Sequence, residues 1–184
     1  MKKIILFLVG VSVASAAVAQ SNEAAGTHFF VQPTITLAGP GSDFENAFGL
    51  GATAGVSFRS RHSVELEFVQ FETEPDEGYA PFELDFRHIL ATYKYRIPLS
   101  PKFSGYVGGS IGVASQKAKA SPGFVIVGDD SDDVVTGGVV GGVQYRFDEQ
   151  IFVDGGVKVL GQGATRFTTD GTIVLVQISA RFQF

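Results

Sequence analysis

Apolar and polar side chains alternate along most of this chain. Because successive side chains of a β-strand point to opposite faces, an alternating segment predicts a strand with one apolar and one polar face. The clearest case is segment 47–59, where Phe48, Leu50 and Val56 alternate with Gly, Thr and Ser. The alternating segments are residues 28–37, 47–59, 63–71, 87–97, 103–115, 134–147, 151–159 and 172–184. The pattern predicts an all-β protein of eight strands.

The composition of the two faces favours a membrane barrel over a soluble β-sandwich, whose strands also alternate. The polar face carries mostly Gly, Thr, Ser and Gln with a few charges of both signs, which suits a narrow interior better than open water. Aromatic residues on the apolar face gather near the strand ends, as in the interfacial girdles of outer-membrane barrels. They are Phe29, Phe48, Phe58, Tyr93, Tyr95, Tyr145, Phe147, Phe182 and Phe184.

Strands within a lipid bilayer must close into a barrel, because an open edge would leave unpaired backbone groups at several kcal/mol each. Each apolar face is long enough to cross a bilayer, which takes about 9–11 tilted residues. Eight strands make a barrel that side chains can just fill. We therefore predict an eight-stranded, antiparallel, up-and-down transmembrane β-barrel.

The connections between these segments alternate between short and long. The short ones are residues 60–62, 98–102 and 148–150, and the long ones are residues 38–46, 72–86, 116–133 and 160–171. In outer-membrane barrels tight turns face the periplasm and long loops face the exterior. The third long loop contains an apolar stretch, 122–127, which we expect to extend strands five and six into a hairpin above the membrane or to contact a partner.

The N-terminus predicts export. Lys2 and Lys3 precede an apolar run, 4–13, and an Ala17-Val18-Ala19 cleavage motif, so residues 1–19 are predicted to be a cleaved signal peptide and 20–184 a single barrel domain. The chain has no cysteine, which excludes disulfides, thiol sites and a Cys-linked lipid anchor. The net charge is −5 and no basic stripe occurs, so we expect no nucleic-acid partner.

The turn and its flanks at 95–103, the glycine-rich strand 106–113, the signal sequence and the terminal Phe184 resemble the small outer-membrane barrels of the OmpA-like and opacity-porin group. The resemblance implies an eight-stranded barrel in the bacterial outer membrane. It also implies that Phe184, with Phe182 and the alternating apolar residues before it, is the signal recognised by the barrel-insertion machinery. It does not imply a single activity.

Charged side chains on the predicted inward faces are the main candidate site. A narrow lumen has a low dielectric constant, and an unpaired charge in it is costly, so these side chains should pair and fill the interior. The candidates are Glu65, Glu67, Lys94, Arg96, Arg146, Asp154, Lys158 and Arg181.

Strand parity and depth predict which of these charges meet. The expected pairs are Glu67 with Lys94, Glu65 with Arg96, and Asp154 with Arg146 or Arg181. A static set of pairs predicts a closed, structural barrel. The alternative is a gated pore whose pairs exchange.

A catalytic interpretation needs a shifted register of strands three and four. Glu67, His88 and Ser110 would then be inward neighbours with the composition of an acid, base and nucleophile set. The acidic segment 128–133 lacks the Gly and terminal Glu of a calcium-binding EF-hand loop, so we expect a solvated loop.

We therefore predict a structural or surface-interaction protein without catalysis, cofactor or metal. A narrow channel for ions or small solutes ranks second, and a lipid-modifying hydrolase third. The expected partners are outer-membrane lipid, the insertion machinery and an extracellular partner at the long loops.

Overall fold

The structure is a computed structural model, which describes residues 26–40, 45–59, 61–74, 82–120, 131–163 and 171–184. Within these ranges no helix is long and apolar enough to cross a membrane. The strands are β1 (Thr27–Gly39), β2 (Ala47–Phe58), β3 (His62–Thr73), β4 (Phe82–Pro98), β5 (Phe103–Ala120), β6 (Ser131–Arg146), β7 (Ile151–Gln162) and β8 (Gly171–Gln183).

The eight strands form one closed barrel in sequence order, and every neighbouring pair is antiparallel. The barrel closes between β1 and β8, where Val31 lies opposite Phe182 and Thr34 opposite Ser179. The sheet therefore has no open edge along its spanning part, as lipid requires. The predicted fold class is confirmed.

The predicted inward and outward faces are also correct, including that of the glycine-rich strand β5. Ser110 is buried while its neighbour Ile111 is 64% exposed. On β2, Phe48 is 79% exposed and Thr53 is buried. Large apolar side chains on the outside and polar ones within are the reverse of a water-soluble fold, and they are typical of a lipid-facing barrel.

The three strands β4, β5 and β6 are longer than their segments of alternation. They contain 17, 18 and 16 residues, whereas the other strands contain 12 or 13. The last pair between β6 and β7 joins Thr136 to Gln162, so residues 131–135 of β6 extend past β7. Five strand residues measure about 16 Å. The apolar stretch 122–127 lies outside the described residues.

Two of the short turns are stabilised by a side chain that accepts backbone hydrogen bonds. The Asp148 carboxylate accepts from the N–H groups of Gln150 and Ile151 at 2.8 and 2.7 Å. The Ser100 hydroxyl accepts from the N–H of Phe103 at 3.1 Å. Asp and Ser are favoured in tight turns for this reason, and both turns lie where the sequence predicts them.

Candidate functional site

The lumen contains two layers of different chemistry. At the long-loop end, buried side chains from six strands form what we call the apolar layer, where the rings of Phe71 and Phe86 stack with centroids 5.0 Å apart. Both rings are almost fully buried, so they occupy the barrel interior at this level. The members of the apolar layer are Ala38, Ala47, Val69, Phe71, Leu84, Phe86, Leu90, Leu160, Ile173 and Leu175.

The apolar layer was not predicted, although its signal is present in the sequence. Val69 and Phe71 continue the inward parity of Glu67 along β3, and Ile173 and Leu175 do the same on β8. On β8 both faces are therefore apolar toward the long-loop end, whereas the outward face of β3 turns polar at Gln70 and Glu72. A run that is apolar on both faces marks the depth at which the lining of the lumen changes from polar to apolar.

Below the apolar layer lies a network of charges and amides, the polar layer, formed by Glu65, Glu67, Lys94, Lys158 and Gln177. The Lys158 ammonium contacts the Glu67 carboxylate at 2.5 Å, and Gln177 donates to the other oxygen of Glu67 at 2.8 Å. Lys94 contacts the Glu65 carboxylate at 2.8 Å. Both carboxylates are buried and hydrogen-bonded, which is the condition under which a buried ion pair is tolerated.

The structure corrects the predicted partners of these two glutamates. Glu65 pairs with Lys94 rather than Arg96, and Glu67 pairs with Lys158 rather than Lys94. The register explains the first change, because Lys94 lies opposite Ser63 and thus one inward position from Glu65. The second pair spans the lumen from β7 to β3, a contact that strand parity alone cannot predict.

Of the remaining predicted charges, Arg181 and Arg96 each lie beside an aromatic ring. Arg181 is buried, lies over the Phe30 ring at 3.5 Å from its centroid, and donates to the Ser57 hydroxyl at 2.9 Å. Arg96 is half-buried beside the Phe152 ring. The guanidinium of Arg181 is therefore held by a ring face and a hydroxyl.

Asp154 forms neither of its predicted ion pairs within the described part of the chain. It is buried, and together with Arg181 it lines a cavity of about 10 Å³ near the short-turn end, which is about the size of one water molecule. Arg146 keeps the predicted inward register, opposite the buried Phe152, but its side chain is not buried in the lumen. It lies exposed at the end of β6, where its guanidinium donates to the Pro101 carbonyl at 2.8 Å.

The catalytic alternative is not assembled. The Ser110 hydroxyl is hydrogen-bonded to Thr92 at 2.8 Å, and Glu67 is held by Lys158. His88 is fully buried and packs on Phe71 with ring centroids 5.7 Å apart, and neither of its ring nitrogens has a hydrogen-bond partner. A nucleophile needs a base within hydrogen-bond reach, and Ser110 has none in this arrangement.

The described residues also include no group of three or more His, Cys, Asp or Glu side chains that could hold a metal ion. Of the acidic segment 128–133, only residues 131–133 belong to the described part. Asp133 is exposed at the start of β6.

The two C-terminal aromatic residues face outward at the short-turn end of the closing strand. Phe182 lies opposite both Val31 of β1 and Ile151 of β7, and the backbone N–H of Phe184 donates to the Phe29 carbonyl at 2.8 Å. Their rings are 38% and 44% exposed. The last residues of the chain thus complete the seam between the first and last strands.

A closed antiparallel barrel with an apolar outside, a filled lumen and alternating short and long connections defines an outer-membrane β-barrel protein. The sequence matches the family described as "outer membrane protein beta-barrel domain" over residues 4–182. The chain belongs to this family, and its location is the bacterial outer membrane.

Solved barrels of low sequence identity share the fold. Neisserial surface protein A superimposes with a TM-score of 0.70 at 14% identity, covering 89% of this chain and 100% of that one. The attachment invasion locus protein Ail of Yersinia pestis, solved with the heparin analogue sucrose octasulfate, gives 0.57 at 14% identity over 88% and 100%. The barrel domain of Pseudomonas aeruginosa OprF gives 0.53 at 12% identity over 86% and 100%. No curated protein sequence matches closely enough to count as a relative.

Proposed function

We propose that this protein is a non-catalytic surface-interaction protein. Its closed barrel holds the extended ends of β4, β5 and β6, which we call the raised wall, above the membrane. The observation that carries the proposal is the extension of β6 past its last pair with β7, together with the longer β4 and β5. Strand residues beyond the bilayer add nothing to membrane anchoring. They present a surface to the exterior, since long connections lie outside the cell in this class of barrel.

The filled lumen supports the same proposal. The apolar layer closes the long-loop end, and the polar layer holds buried, paired charges below it. A hydrophobic constriction blocks ions because water leaves it. A barrel closed in this way serves as a scaffold rather than as a route for solutes.

The long-loop end of the barrel, which includes the raised wall, carries exposed acidic side chains on β6 and near the end of β3, while the exposed Arg87 of β4 is paired with Asp85. Asp133 is exposed on β6, and Glu72 and Glu74 are exposed on and just after β3. Complementary charge steers association, so a cationic protein surface is the expected partner. Ail was solved with a polyanion; the acidic end of this chain leads us to expect the opposite preference.

The proposal is tested by site-specific photo-crosslinking on intact cells. A photoreactive residue at Asp133 should give a discrete crosslinked protein, with a yield that falls as salt concentration rises. The matched control is Val139, on the same strand and face but about 20 Å further along the strand, where the side chain faces lipid. Crosslinks to the same protein from both positions, or from neither, would contradict the proposal.

A narrow channel is the second candidate, supported by the polar lining of the lumen at the short-turn end. Planar bilayers containing the purified protein distinguish the two functions. We expect no stable conductance steps. Reproducible steps that change with Lys94→Ala would favour the channel.

A further inference from the structure

A cluster of aromatic and basic side chains lies on the outer surface at the short-turn end of β2, β3 and β4. We call Phe58, Arg61, His62, Tyr93 and Tyr95 the rim cluster. The His62 ring stacks on Phe58 with centroids 5.4 Å apart and 9° between planes, and meets Tyr95 edge-on at 5.3 Å. The direct pairing of Phe58 with His62, and of His62 with Tyr95, sets these contacts. The rings form a platform at the edge of the lipid-facing surface.

The pair formed by His62 and Tyr93 leaves one hydrogen-bond donor unused in either tautomer. Nδ1 of His62 lies 2.7 Å from the Tyr93 hydroxyl oxygen. If Nδ1 accepts, the Nε2–H group of His62 is free; if Nδ1 donates, the Tyr93 O–H is free. The pair therefore offers a donor toward the membrane interface in both cases.

Arg61 adds the charge of the cluster. One N–H group donates to the Tyr95 hydroxyl at 3.4 Å, which holds the guanidinium beside that hydroxyl and leaves the Tyr95 O–H to donate elsewhere. A guanidinium has five N–H donors in a planar fork that matches phosphate oxygens. Arg61 is exposed and, among the described residues, forms no ion pair within 4.0 Å. A second exposed guanidinium, Arg59, lies in the same turn.

On the outer surface, no carboxylate among the described residues lies beside the rim cluster, although Arg61 and His62 also border the small cavity lined by Glu65 and Asp154. The outward cross-strand neighbours are Val64 beside Tyr93, Val107 beside Tyr95 and Thr27 beside Phe58. The nearest acid along β3, Glu65, points into the lumen and is paired with Lys94. The cluster is thus a set of donors with net positive charge at headgroup depth.

We propose that the rim cluster binds the phosphate of an anionic phospholipid in the periplasmic leaflet. Arg61 and the donor left by His62 and Tyr93 hold the phosphate oxygens, while the exposed faces of the tyrosine rings pack on the glycerol and upper acyl chains. The headgroup is anionic rather than zwitterionic, because Arg61 gives the cluster a positive charge and the cluster contains no carboxylate that would pair with an ammonium group. Basic residues at a membrane surface attract anionic lipid in general. In this cluster the aromatic platform would also hold one lipid molecule at a fixed position.

The proposal is tested by native mass spectrometry of the purified protein in detergent micelles. Phosphatidylglycerol, phosphatidylethanolamine with the same acyl chains, and sodium phosphate are titrated separately. We expect the most tightly bound phosphatidylglycerol molecule to have a higher affinity than phosphatidylethanolamine. Arg61→Gln should weaken the affinity for phosphatidylglycerol by about tenfold. The control Lys102→Gln removes the same charge from the neighbouring short turn and should leave this affinity unchanged.

Three results would overturn the proposal. Equal losses in Arg61→Gln and Lys102→Gln would mean general surface charge, and equal affinity for the two lipids would mean no anionic headgroup site. Displacement of the lipid by an equal concentration of sodium phosphate would mean a free-anion site. If Arg61→Gln does not fold, Tyr95→Phe decides, because unchanged phosphatidylglycerol binding after loss of that hydroxyl would also contradict the site.

Discussion

At the scale of single residues, the interior depends on the ion pairs buried in the polar layer. Lys158 and Glu67 have almost no exposed side-chain surface, and their contact crosses the lumen. A buried ion pair is often no more stabilising than an apolar pair of equal volume, but removal of one partner leaves an uncompensated buried charge. The pair therefore matters most through the cost of breaking it.

Lys158→Met should lower the free energy of unfolding by about 3–5 kcal/mol, because the Glu67 carboxylate stays buried without its counterion. The measurement is urea unfolding of the barrel in lipid vesicles. Adding Glu67→Leu should recover most of the loss, and Lys102→Met on the exposed turn should change stability by less than about 0.5 kcal/mol. A double variant as unstable as the single one would contradict this account.

Neighbouring glycines on β7 provide a second test at this scale. A Cβ at Gly156 would meet the Tyr106 hydroxyl inside the barrel, whereas a Cβ at Gly155 would meet nothing within 4 Å. Gly156→Ala should therefore destabilise the barrel by about 1–3 kcal/mol, as measured by urea unfolding. Gly155→Ala should be neutral or slightly stabilising. Equal effects of the two would show that the Tyr106 ring does not pack against this wall.

At the scale of strands, alternation predicts the lipid-spanning part well and the parts outside it poorly. The eight segments and their faces were predictable, because lipid outside and a narrow lumen inside impose opposite demands on successive residues. The first residues of β4 and the last of β5 were not, because residues in outward register beyond the bilayer need not be apolar, as Asp85 and Lys117 illustrate. The ion-pair partners were also beyond prediction, since they depend on shear and on reach across the lumen.

Deletion of Phe184 should impair insertion far more than the stability of a folded barrel. The ring lies exposed at the rim, and only one backbone hydrogen bond, to Phe29, is lost with the residue. We expect less heat-modifiable protein in the outer membrane but a nearly unchanged urea midpoint for the purified barrel. Phe147→Ala removes another exposed rim ring, 69% exposed, and should insert normally. Normal insertion without Phe184, or equal impairment in the control, would contradict an assembly role.

At the scale of the whole molecule, the lumen is closed twice in series. The polar layer closes it by ion pairs and the apolar layer closes it by packed rings and aliphatic side chains. Because ions would have to pass both layers, opening one layer leaves the other to block their passage. This arrangement makes the closed state robust to the loss of any single contact.

Conductance in planar bilayers should therefore appear only when both layers are opened. Glu67→Ala with Lys158→Ala leaves the apolar layer intact, and Phe71→Ala with Phe86→Ala leaves the polar layer intact, so neither pair of substitutions alone should produce steps. The four substitutions together should. Steps from the polar-layer variant alone would show that the apolar layer does not seal.

The extension of β6 past β7 also fixes where a bound partner would sit. Because the described wall rises over β4, β5 and β6 rather than evenly around the rim, an object held against Asp133 stands beside the barrel axis and over the adjacent lipid. Such a partner meets two surfaces at once, the strands and the membrane. Weak affinity for each would then combine through high effective concentration, so binding to whole cells should be much stronger than binding to the barrel in detergent.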